Sequence, residues 1–135
     1  MKKILILSSN AIIGEELYKT LKEHGHKPKC WRSLEGLMEK INQEKPDLII
    51  TNFQLFGYRD EHVPIDDGGI IALKKLIKAG KNIPVIFFYE NGLQKKAIDY
   101  YYRIQKLRDD EFRFQINVLH YPLDQKAIIE KADKM

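Results

Sequence analysis

Ser8, Ser9, Asn52, Tyr89 and Tyr121 stand where short apolar runs of this chain stop, and their side chains are the ones with functional groups to offer. The runs are Ile4-Leu5-Ile6-Leu7, Leu48-Ile49-Ile50, Val85-Ile86-Phe87-Phe88 and Val118-Leu119. Ser8-Ser9-Asn10, Thr51-Asn52, Tyr89-Glu90 and His120-Tyr121-Pro122 follow them. If the runs are strands of an open parallel sheet, these followers line the crevice outside the strands' carboxyl ends, where such sheets place their sites. Hydroxyls, an amide and phenols can exchange hydrogen bonds there. Phosphoryl transfer would need carboxylates to hold magnesium and attack phosphorus, and a lysine to neutralise charge. The rim has the place for that chemistry without the groups. No base–nucleophile pair is visible either, so the residues predict a protein that is not an enzyme.

The remaining reactive side chains have plainer explanations. His24, His26, His62 and His120 share no metal-ligand spacing, and the first two flank Gly25 in what reads as a surface turn. Glu90, Asp66 and Asp67 lie near the rim, where helix capping and solvation account for them. Cys30 sits beside Trp31 in a strand-like stretch, a setting for packing rather than nucleophilic attack. Neither GxxxxGK[ST] nor GxGxxG occurs, which argues against a bound nucleotide. The sequence requires no metal and no cofactor.

Composition bounds the rest. The 135 residues suit one domain spanning 1–135, with a single core. A hydrophobic content of 44% and a charged content of 31% exclude intrinsic disorder. No apolar run approaches the ~20 residues of a membrane-crossing helix. Met1-Lys2-Lys3 runs straight into a strand pattern without an export segment, and the single cysteine cannot form an internal disulfide, so a cytoplasmic protein is expected. The net charge of +4 arises from 23 Lys plus Arg against 19 Asp plus Glu. These basic residues are scattered, which favours a solvated surface over nucleic-acid binding.

Strand and helix patterns alternate along the chain. Lys3 to Leu7 is apolar enough for a strand buried on both faces. Ile13, Leu17 and Leu21 follow at helical spacing, with Gly25 as the stop. Pro28 to Arg32 reads as a weaker strand. Ser33 is placed to cap a helix carrying Leu34, Leu37, Met38 and Ile41. Pro46 ends that helix and introduces the strand Asp47 to Asn52. A loop from Phe53 to Asp67 leads to a helix with Ile70, Leu73, Leu76 and Ile77, closed at Ala79-Gly80. Ile83 to Tyr89 is the fourth strand. A helix beginning near Leu93 runs past Tyr100-Tyr101-Tyr102-Arg103, Phe114 to His120 forms the fifth strand, and Asp124 caps a last helix. Five βα units in succession predict an α/β flavodoxin-like fold, a five-stranded parallel sheet with helices on both faces.

These motifs together resemble the receiver domain of two-component response regulators over nearly the whole chain. Lys3-Ile4-Leu5-Ile6-Leu7 is similar to the family's first strand, and Lys45-Pro46-Asp47-Leu48-Ile49-Ile50 to the approach to its phosphoacceptor. Asp67-Gly68-Gly69 resembles the family's Asp-Gly helix start, and Asn82-Ile83-Pro84-Val85-Ile86 its fourth strand. Tyr121-Pro122-Leu123-Asp124 resembles its Lys-Pro-Phe turn. The resemblance implies a CheY-like signalling domain. It also shows what is missing. The metal-binding acidic pair falls on Ser8 and Ser9, the phosphoacceptor aspartate on Asn52, the switch Ser/Thr on Tyr89 and the lysine on Tyr121. An amide is a very poor nucleophile, and Ser8, Ser9 and Asn52 offer magnesium only neutral ligands. Removing three clustered carboxylates also removes their mutual repulsion, so the resemblance implies a pseudo-receiver held in one state by packing. The turn at Tyr121-Pro122 is expected to be cis, like its counterpart in the family.

Two segments are longer than the family pattern. The loop between Asn52 and Gly68 carries Gly57, Arg59, Asp60, Glu61 and Pro64, and with so little apolar anchoring residues 57–65 are expected to be mobile. The second extension bears Tyr100, Tyr101, Tyr102, Arg103 and Lys106. Three successive helical residues span about 200° at ~100° each, so at least one tyrosine must be exposed. Tyrosine and arginine favour interaction hot spots, which makes this stretch the candidate surface for a protein partner or a weak homodimer. The alternatives are a small-anion or ligand-binding module using the polar rim, and a nucleic-acid-associated regulator, whose binding would depend on salt.

Overall fold

Ile4, Leu5, Ile6 and Leu7 are all buried, and this is possible only if the strand they form is covered on both faces. The computed structural model describes residues 1–89, 99, 102–104, 106, 116–120 and 125–134. It places β1 (Lys3–Leu7) in a sheet with β2 (Lys27–Trp31), β3 (Leu48–Asn52), β4 (Val85–Tyr89) and β5 (Ile116–His120). The order is β2-β1-β3-β4-β5 and every pairing is parallel. The flavodoxin-like prediction therefore holds, with the direction of strand order reversing beside β1.

Alternate residues of each strand face opposite layers. Leu5, Leu7, Ile49, Val85 and Phe87 join α2 (Leu37–Glu44), α3 (Gly68–Lys78) and Ile104 in one core. Ile4, Ile6, Leu48, Ile50, Ile86 and Phe88 join α1 (Ala11–Glu23) and the C-terminal helix (Gln125–Lys134) in the other. Burying each such side chain contributes about 1.5–3 kcal/mol, enough to override the modest helix propensity of the short elements. At the exposed edge, Lys27, Pro28 and Lys29 blunt β2 against pairing with another chain.

α1 ends as its sequence predicts, at a glycine with φ of 86°. α2 does not begin at Ser33. Its first residue is Leu37, its N-cap is Gly36, and Ser33 is drawn into a parallel bridge with Phe56. His26 also departs from the surface turn expected of it. It is buried, its Nδ1 accepts the Lys2 backbone N–H at 3.1 Å, and its Nε2 lies 3.0 Å from Asp133 Oδ1. Because Nδ1 accepts, Nε2 carries the hydrogen and donates it to the carboxylate. The Lys2 ammonium donates to the Ala132 carbonyl beside it, so both ends of the described chain meet at the amino-terminal pole of the sheet.

Candidate functional site

The carboxyl end of β1 is built by local hydrogen bonds. Ser8 N–H extends the ladder to Trp31 O at 3.1 Å, and Ser8 Oγ both donates to Asn10 O (3.0 Å) and accepts Asn10 N–H (3.1 Å). Asn10 in turn caps α1, its Oδ1 accepting the N–H groups of Ile12 and Ile13 at 3.0 and 3.3 Å. The Ser8 hydroxyl is thus committed to shaping a turn. Ser9 is half-buried, and its side chain makes no hydrogen bond among the described residues.

β3 delivers Asn52 beside this turn, since Leu7 pairs with Thr51 and the next position along is Asn52. Asn52 is only 1% exposed, which sets it apart from a side chain waiting for a solvent-borne substrate. Its surroundings explain the burial. The Phe53 ring packs on Phe87 with centroids 5.8 Å apart, and Gly69 N–H donates to Phe53 O at 2.8 Å. α3 approaches so closely that a Cβ on Gly69 would lie 2.5 Å from Asn52 O, and one on Gly68 2.7 Å from Leu55 N. The two glycines of the Asp-Gly-Gly start are therefore a requirement of packing. Asp67 makes no side-chain cap bond to α3; its Oδ2 accepts from the Arg103 guanidinium at 3.3 Å.

The loop after β3 is not the loosely held segment its composition suggests. Phe56 N–H donates to Arg32 O (3.1 Å), Leu34 N–H to Phe56 O (2.7 Å) and Glu35 N–H to Gly57 O (2.9 Å). Leu55 and Ile65 exchange both backbone bonds, at 3.3 and 2.7 Å. Beyond the end of β1, the extensions of β2 and β3 thus close directly on each other. Leu55 is fully buried, and Phe56 lies under the Arg32 guanidinium at 4.7 Å. Only the tip stays open, with Tyr58 and Val63 largely exposed. The loop forms a lid that is tied down at its base, and at its tip Arg59 N–H still donates to Glu35 Oε1 at 2.9 Å.

Ser8, Ser9 and Asn52 are brought to adjacent strand ends, as expected. Tyr89 closes β4 with its Cα paired to His120, while the orientation of its side chain lies outside the described part. Tyr121, Glu90 and the Tyr121-Pro122 bond also lie outside the described residues, as do Tyr100 and Tyr101. Of the second candidate surface, Tyr102 is 68% exposed and Lys106 is exposed, whereas Arg103 is half-buried and turned onto Asp67. No group of three His, Cys, Asp or Glu side chains among the described residues could hold a metal ion. No described helix is long and apolar enough to cross a membrane. The Cys30 thiol titrates above its ordinary value, first through burial and then through the Glu15 carboxylate. Reasoning from sequence missed Arg32 beside the rim; its place at the end of an apolar-flanked strand was the available signal.

No protein-family model matches this sequence, and no curated protein does. Solved structures do match in shape. The receiver domain of NtrX from Brucella abortus superposes with a TM-score of 0.72 at 19% identity, over 97% of this chain and 95% of that one. The receiver domain of the Francisella response regulator 1452 gives 0.72 at 19% identity, over 99% and 95%. The signal receiver domain of a putative LuxO repressor from Vibrio parahaemolyticus gives 0.72 at 15%, over 98% and 88%. Against longer NtrX, the chain spans 26% of that protein's length. The fold is that of response-regulator receiver domains.

Proposed function

We propose that this chain is a phosphorylation-independent pseudo-receiver, a signalling domain that acts by binding protein. The observation that carries the reading is Asn52: an amide at the phosphoacceptor position, 1% exposed where Gly69 of α3 comes against its backbone. Chemistry and access fail together. Without a carboxylate there is no nucleophile for phosphorus, and the serines replacing the acidic pair supply no charge for magnesium. A cytoplasmic location belongs to this reading, supported by a lone cysteine that cannot form an internal disulfide. The proposed contact surface is the helical segment around Tyr102 and Lys106 with β5 and the C-terminal helix, and its occupant is a protein partner or a second copy in a weak dimer. Exposed Tyr102 supports that choice.

Incubation with acetyl phosphate, or with beryllofluoride, in the presence of magnesium is the test. Mass and amide spectra are expected to stay unchanged, and Asn52→Asp alone is expected to leave them unchanged as well, because Ser8, Ser9 and Tyr121 remain. A stoichiometric phosphoryl adduct on the native chain would overturn the reading.

A further inference from the structure

A cavity of about 470 Å³ opens between the carboxyl ends of β1 and β2, the first turns of α1 and Arg59 of the lid. That volume lies in the range of small-molecule sites, roughly 300–1,000 Å³. Asn52 is not part of its wall, whereas Ser8 and Ser9 are, so the cavity adjoins the strand-end rim without reaching the buried amide.

Three observations point to a ligand. The first is Gly14, a buried glycine inside α1 that lines the space. Glycine there costs up to ~1 kcal/mol relative to alanine. Packing does not demand it: an added Cβ would meet only Ser8 Cβ, at an ordinary 3.9 Å. What the missing side chain provides is room. The second is charge. Arg32 and Arg59 both face the cavity, against the single carboxylate of Glu15. The Arg32 side chain has no hydrogen bond or carboxylate partner among the described residues, and its guanidinium is held in place over the Phe56 ring. Arg59 is placed by the Trp31 ring at 5.3 Å and by Glu35 Oε1 at 3.5 Å from its Nε, which leaves the outer guanidinium nitrogens for a second acceptor. The third is the Ser9 hydroxyl, which lines the same space with no bond among the described residues. The α1 N-terminus contributes little beyond this, because Asn10 already occupies the N–H groups of Ile12 and Ile13. Ile6, Ala11 and Trp31 add apolar lining.

We propose that this cavity binds a small organic anion. Its carboxylate or phosphate is held by Arg32, Arg59 and Ser9, and its apolar body lies against Ile6, Ala11 and Trp31. Guanidinium suits both headgroups, since its fork matches two oxygens of either. The site shares Ser9 with the pseudo-receiver reading but uses neither Asn52 nor the Tyr102 surface, so a failure of anion binding and a failure of the phosphorylation test are distinguishable.

Trp31 is the only tryptophan of the chain and lines this cavity, so its fluorescence reports on changes there. Titration of the intact chain with phenyl phosphate and with phenylacetate is expected to perturb that fluorescence and to slow alkylation of Cys30, which lines the same space. Inorganic phosphate, which lacks the body, and benzyl alcohol, which lacks the charge, are expected to bind at least roughly tenfold more weakly. Arg32→Gln, at an exposed position, is expected to weaken the better anion by roughly tenfold. Gly14→Leu is expected to abolish binding by filling the space; if it does not fold, Arg32→Gln still decides. Absence of any response to both aromatic anions at millimolar concentration overturns the proposal. So does benzyl alcohol binding as tightly as phenyl phosphate, or Arg32→Gln binding like the native chain.

Discussion

The two sides of the strand reversal have been treated in opposite ways. On the β3 side, Gly68 and Gly69 draw α3 against the chain so tightly that no methyl fits, and the base of the following loop is tied to the end of β2. On the β2 side, Gly14 leaves space that no described residue fills. The same residue type thus closes one region and opens its neighbour. The difference teaches that the strand-end rim is not uniformly closed. Asn52 is buried, while accessible volume and positive charge lie on the β2 side.

The largest expected effect comes from breaking the seal. Leu55 is fully buried within the lid's base, so Leu55→Ala is expected to cost about 3 kcal/mol in chemical denaturation. It is also expected to speed proteolytic cleavage near Tyr58 and Val63, whereas an unchanged cleavage rate would show that the base does not hold the tip. The glycines provide the sharper contrast. Gly69→Ala is expected to destabilise the fold by about 2 kcal/mol, because the new methyl meets the Asn52 carbonyl. Gly14→Ala is expected to stabilise it by up to ~1 kcal/mol through helix propensity. Equal responses at the two positions would erase the distinction between a closed side and an open one. The smallest effect concerns Cys30. Glu15→Gln removes the secondary cause of its raised pKa, so more thiolate forms at a given pH and alkylation near pH 8 is expected to rise by about twofold. The shift should be modest because burial, the larger cause, remains.

The core was readable because its signals are local and repeated. Ile4 to Leu7 and Leu48 to Ile50 announce strands buried on both faces, and Ile13, Leu17 and Leu21 announce one face of a helix. Their order then leaves few topologies. The placement of Ser8, Ser9 and Asn52 at adjacent strand ends followed from the same pattern. The lid did not, because Leu55, Phe56 and Ile65 are isolated apolar residues with no period of their own. Leu55 and Ile65 pair with each other, and the partners of Phe56, Arg32 and Leu34, lie more than twenty positions upstream. That pairing also displaced the start of α2: the apolar spacing from Leu34 onward reads as helix, but Leu34 spends its N–H on Phe56. His26 was misjudged for a related reason. A histidine beside a turn glycine looks solvated until the last helix brings Asp133 to it.

The contact between Lys2 and Ala132 has a consequence for how the chain could be rewired. Its two ends meet at the pole opposite the lid, while the lid tip around Tyr58 and Val63 is exposed. Joining the ends with a short flexible linker and cutting at the tip would give a circular permutant that keeps every strand pairing. Both conditions that permutation usually needs, adjacent ends and an exposed cleavage point, are met. Such a molecule would present new ends beside the anion cavity, where a fused reporter could sense occupancy directly.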